Sequence, residues 1–244
     1  MSTDLCIVSP SSAPEWALLG DRVFLQAGWK HPDLELLNDK YVILDMQHPV
    51  SGAANVQRGP ISMDELEAYY SVIRRVQPDE VVVPDVLLDS KATLVSTKKF
   101  FEHLPTDIAE RELAYMFVPQ GNTADEWLQS RDDMTEAPFY NRISTVGIAM
   151  HMERFISRFA LLDEVPKHCK IHFLGCWRGV GELTYDHLIR SWDTSLPIAA
   201  AQEDKYLSNM PRDYKPHLVE GKHVDSLTAI ANLAYCKRLL SGPL

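Results

Sequence analysis

Residues 79–85 read Asp79-Glu80-Val81-Val82-Val83-Pro84-Asp85, and residues 114–120 read Ala114-Tyr115-Met116-Phe117-Val118-Pro119-Gln120. Each is a short apolar run that turns polar just after a proline. A strand with one face in water alternates apolar and polar side chains. These runs do not alternate, so both faces are covered, as in a parallel sheet flanked by helices. Similar runs recur at 5–8, 23–26, 41–45, 143–149, 170–175 and 191–195. With 81–85 and 114–119 they predict eight strands.

Between the runs the sequence reads as helix. Ser62-Met63-Asp64-Glu65-Leu66 offers a capping serine followed by two acids, and the pattern carries on to Val76 before Pro78. Thr123-Ala124-Asp125-Glu126 places a glutamate three residues after a threonine, a capping-box pattern. Residues 151–162 and 182–190 carry apolar side chains at helical spacing, and a final helix spans about 225–240. Strands alternating with helices give an α/β domain with right-handed crossovers. Eight strands predict closure into a barrel, and an open doubly wound sheet is the alternative. The chain has 244 residues, and such barrels typically run to about 250. The expectation is one domain over 1–244, a (β/α)8 TIM barrel.

The net charge is −10, unevenly spread: residues 1–122 carry −8 and residues 123–244 carry −2. Phosphate binding wants Lys and Arg, so overall acidity does not favour nucleic acid. The second half nevertheless holds Arg142, Arg154, Arg158, Arg178 and Arg190. These make either a local basic face or ordinary solvated helix surfaces, the second being favoured by charge alone. Cys6, Cys169, Cys176 and Cys236 include no C-x-x-C pair, which points to reduced thiols rather than a disulfide framework. Met1 is followed by polar Ser2-Thr3-Asp4, and no apolar run approaches the roughly 18 residues of a membrane span. A cytoplasmic protein with no membrane contact is expected.

Active sites of such barrels lie at the carboxyl ends of the strands. Here the strands end in Asp45, Asp85, Gln120-Gly121, Gly147, Gly175 and Asp193. Taken singly, a carboxylate after a strand is usually a helix cap or turn residue, and a glycine there is usually a turn. As a set they bring three carboxylates and an amide to one mouth. Carboxylates sharing a partly buried site separate one another's pKa values, and so their roles. Glycosidic chemistry needs such a set, because its oxocarbenium-like transition state requires one carboxylate at the anomeric carbon and another group to move a proton. Asp45 and Asp193 suit those roles. Asp85 and Gln120 suit the edges of a purine, the carboxylate accepting guanine N1–H and its exocyclic amine, the amide both donating and accepting.

In this order the segments resemble the tRNA-guanine transglycosylase superfamily, over about 41–197. Val146-Gly147-Ile148-Ala149-Met150-His151-Met152-Glu153 is similar to its V-G-G-L-x-V-G-E segment, with Gly147 and Glu153 in register. Phe117-Val118-Pro119-Gln120-Gly121 resembles its I-Q-Q-G strand, and Val83-Pro84-Asp85 its F-D-x strand end. His172-Phe173-Leu174-Gly175 resembles H-Y-L-M-G with one residue fewer. Trp192-Asp193-Thr194-Ser195-Leu196-Pro197 resembles the nucleophile strand F-D-C-V-x-P, and Ile43-Leu44-Asp45 the strand of the other catalytic acid. The resemblance implies that Asp193 attacks the sugar C1′, that Asp45 is general acid/base, and that Asp85, Gln120, Gly121, Gly147 and Gly175 surround the base. No cofactor is implied. The implied partners are a nucleic acid and a 7-deazaguanine base, with a homodimer as one assembly found in the family.

The chain also departs from the pattern. The family's S-G-G after the first Asp is here Met46-Gln47-His48, and the second Gly of G-G is Ile148. Pro197 leads to Ile198-Ala199-Ala200 without the Arg of tRNA enzymes. The C-x-C-x-x-C…H zinc module is missing, Cys236 standing alone, so no structural zinc is expected. The lost features belong largely to tRNA handling, which favours the branch that puts 7-deazaguanines into DNA, often viral or from restriction-linked clusters. A tRNA enzyme with a trimmed periphery is the second reading, with Lys237-Arg238 as its hint. A non-catalytic partner subunit is the third, disfavoured by the presence of both Asp45 and Asp193. A metal-dependent hydrolase using His48, His151 and His172 ranks last, because no H-x-H pair follows an early strand. Within its apolar strand, His172 reads as a satisfied core histidine. Trp127, Trp177 and Cys176 read as packing rather than base-contacting residues.

Overall fold

A computed structural model describes residues 3–46 and 59–241. Its strands are β1 (Asp4–Ile7), β2 (Arg22–Gln26), β3 (Val42–Asp45), β4 (Glu80–Val82), β5 (Ala114–Phe117), β6 (Ile143–Ala149), β7 (Lys170–Leu174) and β8 (Ile189–Thr194). They close into a parallel barrel in chain order, with β1 hydrogen-bonded to β8 as well as to β2. The open-sheet alternative is thereby set aside. Every expected strand is present, with ends moved by no more than three residues. The largest change is at β4, which stops before Pro84, a residue with no N–H to give to a ladder.

Six α-helices lie among the described residues: α1 (Met63–Val76), α2 (Ser90–Glu102), α3 (Thr106–Ala109), α4 (Ala124–Thr135), α5 (Leu196–Ala201) and α6 (Ser226–Leu240). The capping box of α1 forms as its sequence requires: Glu65 N–H donates to Ser62 Oγ at 3.2 Å, and Ser62 N–H donates to Glu65 Oε2 at 2.9 Å. At α4 only half the box forms. Thr123 Oγ1 accepts from Glu126 N–H, but the Glu126 carboxylate takes the N–H of Asn122 instead. Asp225 caps α6 by accepting from Thr228 N–H.

Two expected helices do not form. Residues 151–162 are covered by two 3-10 turns, Met150–Arg154 and Arg158–Glu164. The break between them is filled by side chain and backbone together: Arg158 N–H donates to Glu153 Oε1 at 2.7 Å, and Arg158 Nη1 donates to the Ile148 carbonyl at 3.0 Å. A regular helix would need that N–H for its own ladder. Residues 182–190 hold a loop, and β8 already begins at Ile189. There Glu182 accepts from the N–H groups of Trp177 and Arg178, at 2.6 and 3.1 Å, fixing the loop from outside any helix.

By packing, the chain forms two compact units. One holds the described residues up to Leu25, 29–42, and those from His172 onward. In it Phe173 and Trp192 meet edge to face at 4.7 Å, and buried Asn232 of α6 bonds to Pro197 O, Lys205 O and Leu207 N, tying α5 to α6. The other holds 26–28 and the described residues from Ile43 to Ile171. There α1 buries Leu66, Tyr69, Tyr70, Ile73 and Val76, spaced three and four apart on one face. Among the described residues no helix is long and apolar enough to cross a membrane.

Candidate active site

Within the second unit, Asp85 follows β4 and Gln120 follows β5. The structure brings them together: Gln120 Nε2 donates to Asp85 Oδ2. The amide is held at its other end as well, because Gln120 Oε1 accepts from Leu88 N–H at 3.0 Å. This fixes which end of the amide is oxygen, since only an oxygen can accept from that N–H. Leu88 has φ +64°, an unfavourable region for a leucine. Its carbonyl is held in turn by Asn122 Nδ2 at 2.8 Å. Gln120 is 1 % exposed, so this amide is part of the wall of the fold. Burial pushes the Asp85 carboxyl up to about 6, and the Gln120 hydrogen bond works against that rise without cancelling it.

Asp45 closes β3 in the same unit, and its carbonyl accepts from Ala27 N–H at 2.8 Å. Behind it stands Tyr69 of α1. The Tyr69 hydroxyl lies 2.9 Å from both the Leu44 and the Val82 carbonyls, so one proton serves two acceptors at the ends of β3 and β4. Burial raises the phenol well above its ordinary range, and the charges of Asp45 and Asp85 add to the effect, so Tyr69 remains a neutral donor. Tyr69→Phe is expected to cost about 1–3 kcal/mol, the penalty for leaving buried carbonyls short of a donor, and urea denaturation checks it. An apolar cleft of about 200 Å³ lies beside α1, lined by Ala27, Gly28, Met46, Ala68, Val72 and Tyr69 itself. None of the strand-end carboxylates lines it.

Within the first unit, Asp193 lies on β8, 6 % exposed. Gly175 N–H donates to Asp193 Oδ1 at 2.8 Å, and Trp192 Nε1 donates to the Gly175 carbonyl at 3.0 Å. Two consecutive β8 residues thus hold the N–H and the carbonyl of one glycine, fixing the peptide units on either side of its Cα. Gly175 has φ +71°, which a residue with a Cβ adopts only under strain. His172 of β7 stands beside Asp193, its Nε2 3.4 Å from Oδ1.

The remaining expected positions are more ordinary. A Cβ on Gly121 would come within 2.7 Å of Glu126 Cβ and 2.8 Å of Trp127 N, so close packing against α4 accounts for that glycine. Gly147 is buried inside β6, which runs two residues beyond it. Trp127 is fully buried in α4 and packs. His151 is buried and held neutral, lowered to about 4 first by burial and then by Arg154 and Arg158. Gln47 and His48 lie outside the described residues. Among the described residues no three His, Cys, Asp or Glu side chains gather to hold a metal ion.

No family model matches the chain, and no curated protein matches it. What the site does is therefore argued from its own chemistry. Three participants were not legible as such in the sequence: Leu88, which fixes the Gln120 amide; Tyr69, which ties two strand ends; and His172. For His172 the polarity of one residue in an apolar strand was the available signal.

Proposed function

We propose that the protein is a base-exchange transglycosylase, replacing guanine in a nucleic acid with a 7-deazaguanine derivative. The observation that carries this reading is the hydrogen-bonded Asp85–Gln120 pair, with the amide fixed by Leu88. An acceptor carboxylate beside an oriented amide is the hydrogen-bonding complement of a guanine-type edge. Asp193, held by Gly175 at the end of β8, would be the nucleophile. Its carboxylate oxygen forms a bond to C1′ as the bond from C1′ to the purine nitrogen breaks, and the electron pair leaves with guanine. Asp45 gives that nitrogen a proton. Asp45 then takes the proton of the incoming base, whose nitrogen attacks C1′ and frees the Asp193 carboxylate. Splitting one displacement into two keeps the sugar's configuration. In a duplex the target nucleotide would first be extruded, at a cost of a few kcal/mol.

DNA is preferred over tRNA as the acceptor because Pro197 leads to Ile198-Ala199-Ala200 without the Arg of tRNA enzymes, and residues 198–244 hold Cys236 but no C-x-C-x-x-C pattern. The test is incubation with labelled 7-cyano-7-deazaguanine and either duplex DNA or tRNA. Label entering DNA is the expected result. Label entering only tRNA overturns the acceptor, and label entering neither overturns the reading.

Base capture has a predictable pH dependence. Asp85 accepts from N1–H and the exocyclic amine with both oxygens only when ionised, and burial pushes its carboxyl up to about 6 from 3.8. Affinity for guanine is expected to fall about tenfold per pH unit once the pH drops below about 6, as titration calorimetry from pH 5 to 7.5 would measure. Asp85→Asn should weaken binding and abolish this dependence. It should also raise the melting temperature above pH 6. The raised value means that the folded state disfavours the charged form, and the neutral amide avoids that cost.

A further inference from the structure

We infer that His172 is a positioning residue for Asp193, holding Oδ1 so that Oδ2 is the oxygen that reacts; the role of Oδ2 rests on the transglycosylase reading. His172 is completely buried in β7, with the Phe24 ring stacked parallel at 5.7 Å. Its Nδ1 lies 2.8 Å from Ser191 Oγ, and its Nε2 faces Asp193 Oδ1 at 3.4 Å, close enough for an ion pair but outside hydrogen-bond geometry. Ser191 and Asp193 are two residues apart on β8 and share a face. Arg190 Nε donates to the same Ser191 Oγ at 3.2 Å.

The proton positions follow from these contacts. An ionised carboxylate only accepts, so a favourable contact with Oδ1 requires the proton on Nε2. A neutral imidazole then has a bare Nδ1, which must accept, so the Ser191 hydroxyl donates to it. Ser191 keeps its lone pairs for Arg190. Donation runs one way, from Arg190 through Ser191 and His172 towards Asp193. Gly175 N–H also lands on Oδ1, so both holding groups aim at the same oxygen. Serine, histidine and aspartate are the residue types of a hydrolase triad, but the order of depth is reversed. Ser191 is fully buried and Asp193 is the member that solvent reaches. The attacking atom is then a carboxylate oxygen, with the histidine behind it.

A donor on Oδ1 has opposite effects on the two half-reactions. It lowers the nucleophilicity of Asp193 slightly and stabilises the carboxylate as it departs. His172→Phe, which keeps the bulk and removes the N–H facing Oδ1, is therefore expected to slow release of the covalent adduct about tenfold, the equivalent of about one pKa unit of differential stabilisation of the departing carboxylate. Formation should not slow and should quicken slightly, so adduct accumulates. His172→Gln, which restores an N–H, should recover most of the release rate. Equal slowing of both steps, or no recovery with Gln, overturns the inference. A second measurement needs no activity. In 15N spectra of the wild-type protein, with the His172 signal assigned by its loss in His172→Gln, Nε2 should carry a proton, and Asp193→Asn should weaken that preference. A bare Nε2, or indifference to Asp193→Asn, overturns the inference even if His172→Phe fails to fold. If the wild type forms no adduct, the transglycosylase reading falls, and the spectra still decide what His172 does.

Discussion

Asp193→Asn is expected to abolish the denaturation-resistant protein–nucleic acid adduct and to lower base exchange by about 10⁴-fold or more, the scale seen when a nucleophile is removed. The substitution is chosen for what it keeps. Asparagine has the same shape, and its carbonyl oxygen can still accept from Gly175 N–H, which now bonds Oδ1 at 2.8 Å. The Gly175 peptide and its Trp192 bond should therefore persist, and the melting temperature should stay within a few degrees of wild type. Loss of adduct with retained fold assigns the covalent bond to this side chain. An adduct that survives in Asp193→Asn would show another nucleophile, Asp45 being the next to replace. The pair of measurements, adduct by denaturing gel and fold by thermal melt, separates chemistry from stability.

The largest effect on stability is expected at Arg158, which touches none of the proposed chemistry. Arg158 is wholly buried, with Nε 4.0 Å from Glu153 Oε1 and Nη1 on the Ile148 carbonyl. Removing one partner of a buried pair leaves the other charge uncompensated, and this costs about 3–5 kcal/mol. At about 2–4 °C per kcal/mol for a chain of this size, Arg158→Met should melt about 6–20 °C lower. The double change Arg158→Met with Glu153→Leu should be the milder lesion, because no lone charge remains in the interior. A double variant as unstable as the single would show that lost packing, rather than the stranded carboxylate, sets the cost.

The strands were legible because burial on both faces leaves a local mark. Val81-Val82-Val83 and Tyr115-Met116-Phe117 need no tertiary information to be read as covered on both sides. The helix cap at Ser62 was legible for the same reason: a cap is a contact between residues three apart. Residues 151–162 show the limit. Their apolar spacing is helical, but the N–H of Arg158 is taken by Glu153 and its guanidinium reaches back to Ile148. Side-chain bonds of that kind leave no periodicity to read. The site divides in the same way. Asp85 and Gln120 could be found because each follows an apolar run, and Asp193 through the resemblance carried by residues 192–197. His172 could be found only as a polar residue in a strand. Its neighbours at 191 and 193 depend on β7 lying beside β8, and no single strand records which one lies next to it.

The turn at Leu88 has a consequence for how any base would be recognised. A free glutamine side chain samples many rotamers and can present either end of its amide. On capture it surrenders that freedom, on the order of 1 kcal/mol for a flexible side chain. Gln120 has already surrendered it during folding, between Leu88 N–H on one side and Asp85 on the other. The strained φ of Leu88 is one cost of that arrangement. A ligand that arrives finds no rotamers left to freeze and no alternative amide orientation to accommodate it. Discrimination between purines would then reside in the resting chain, and a base with the wrong edge would meet a mismatched dipole instead of an adaptable one.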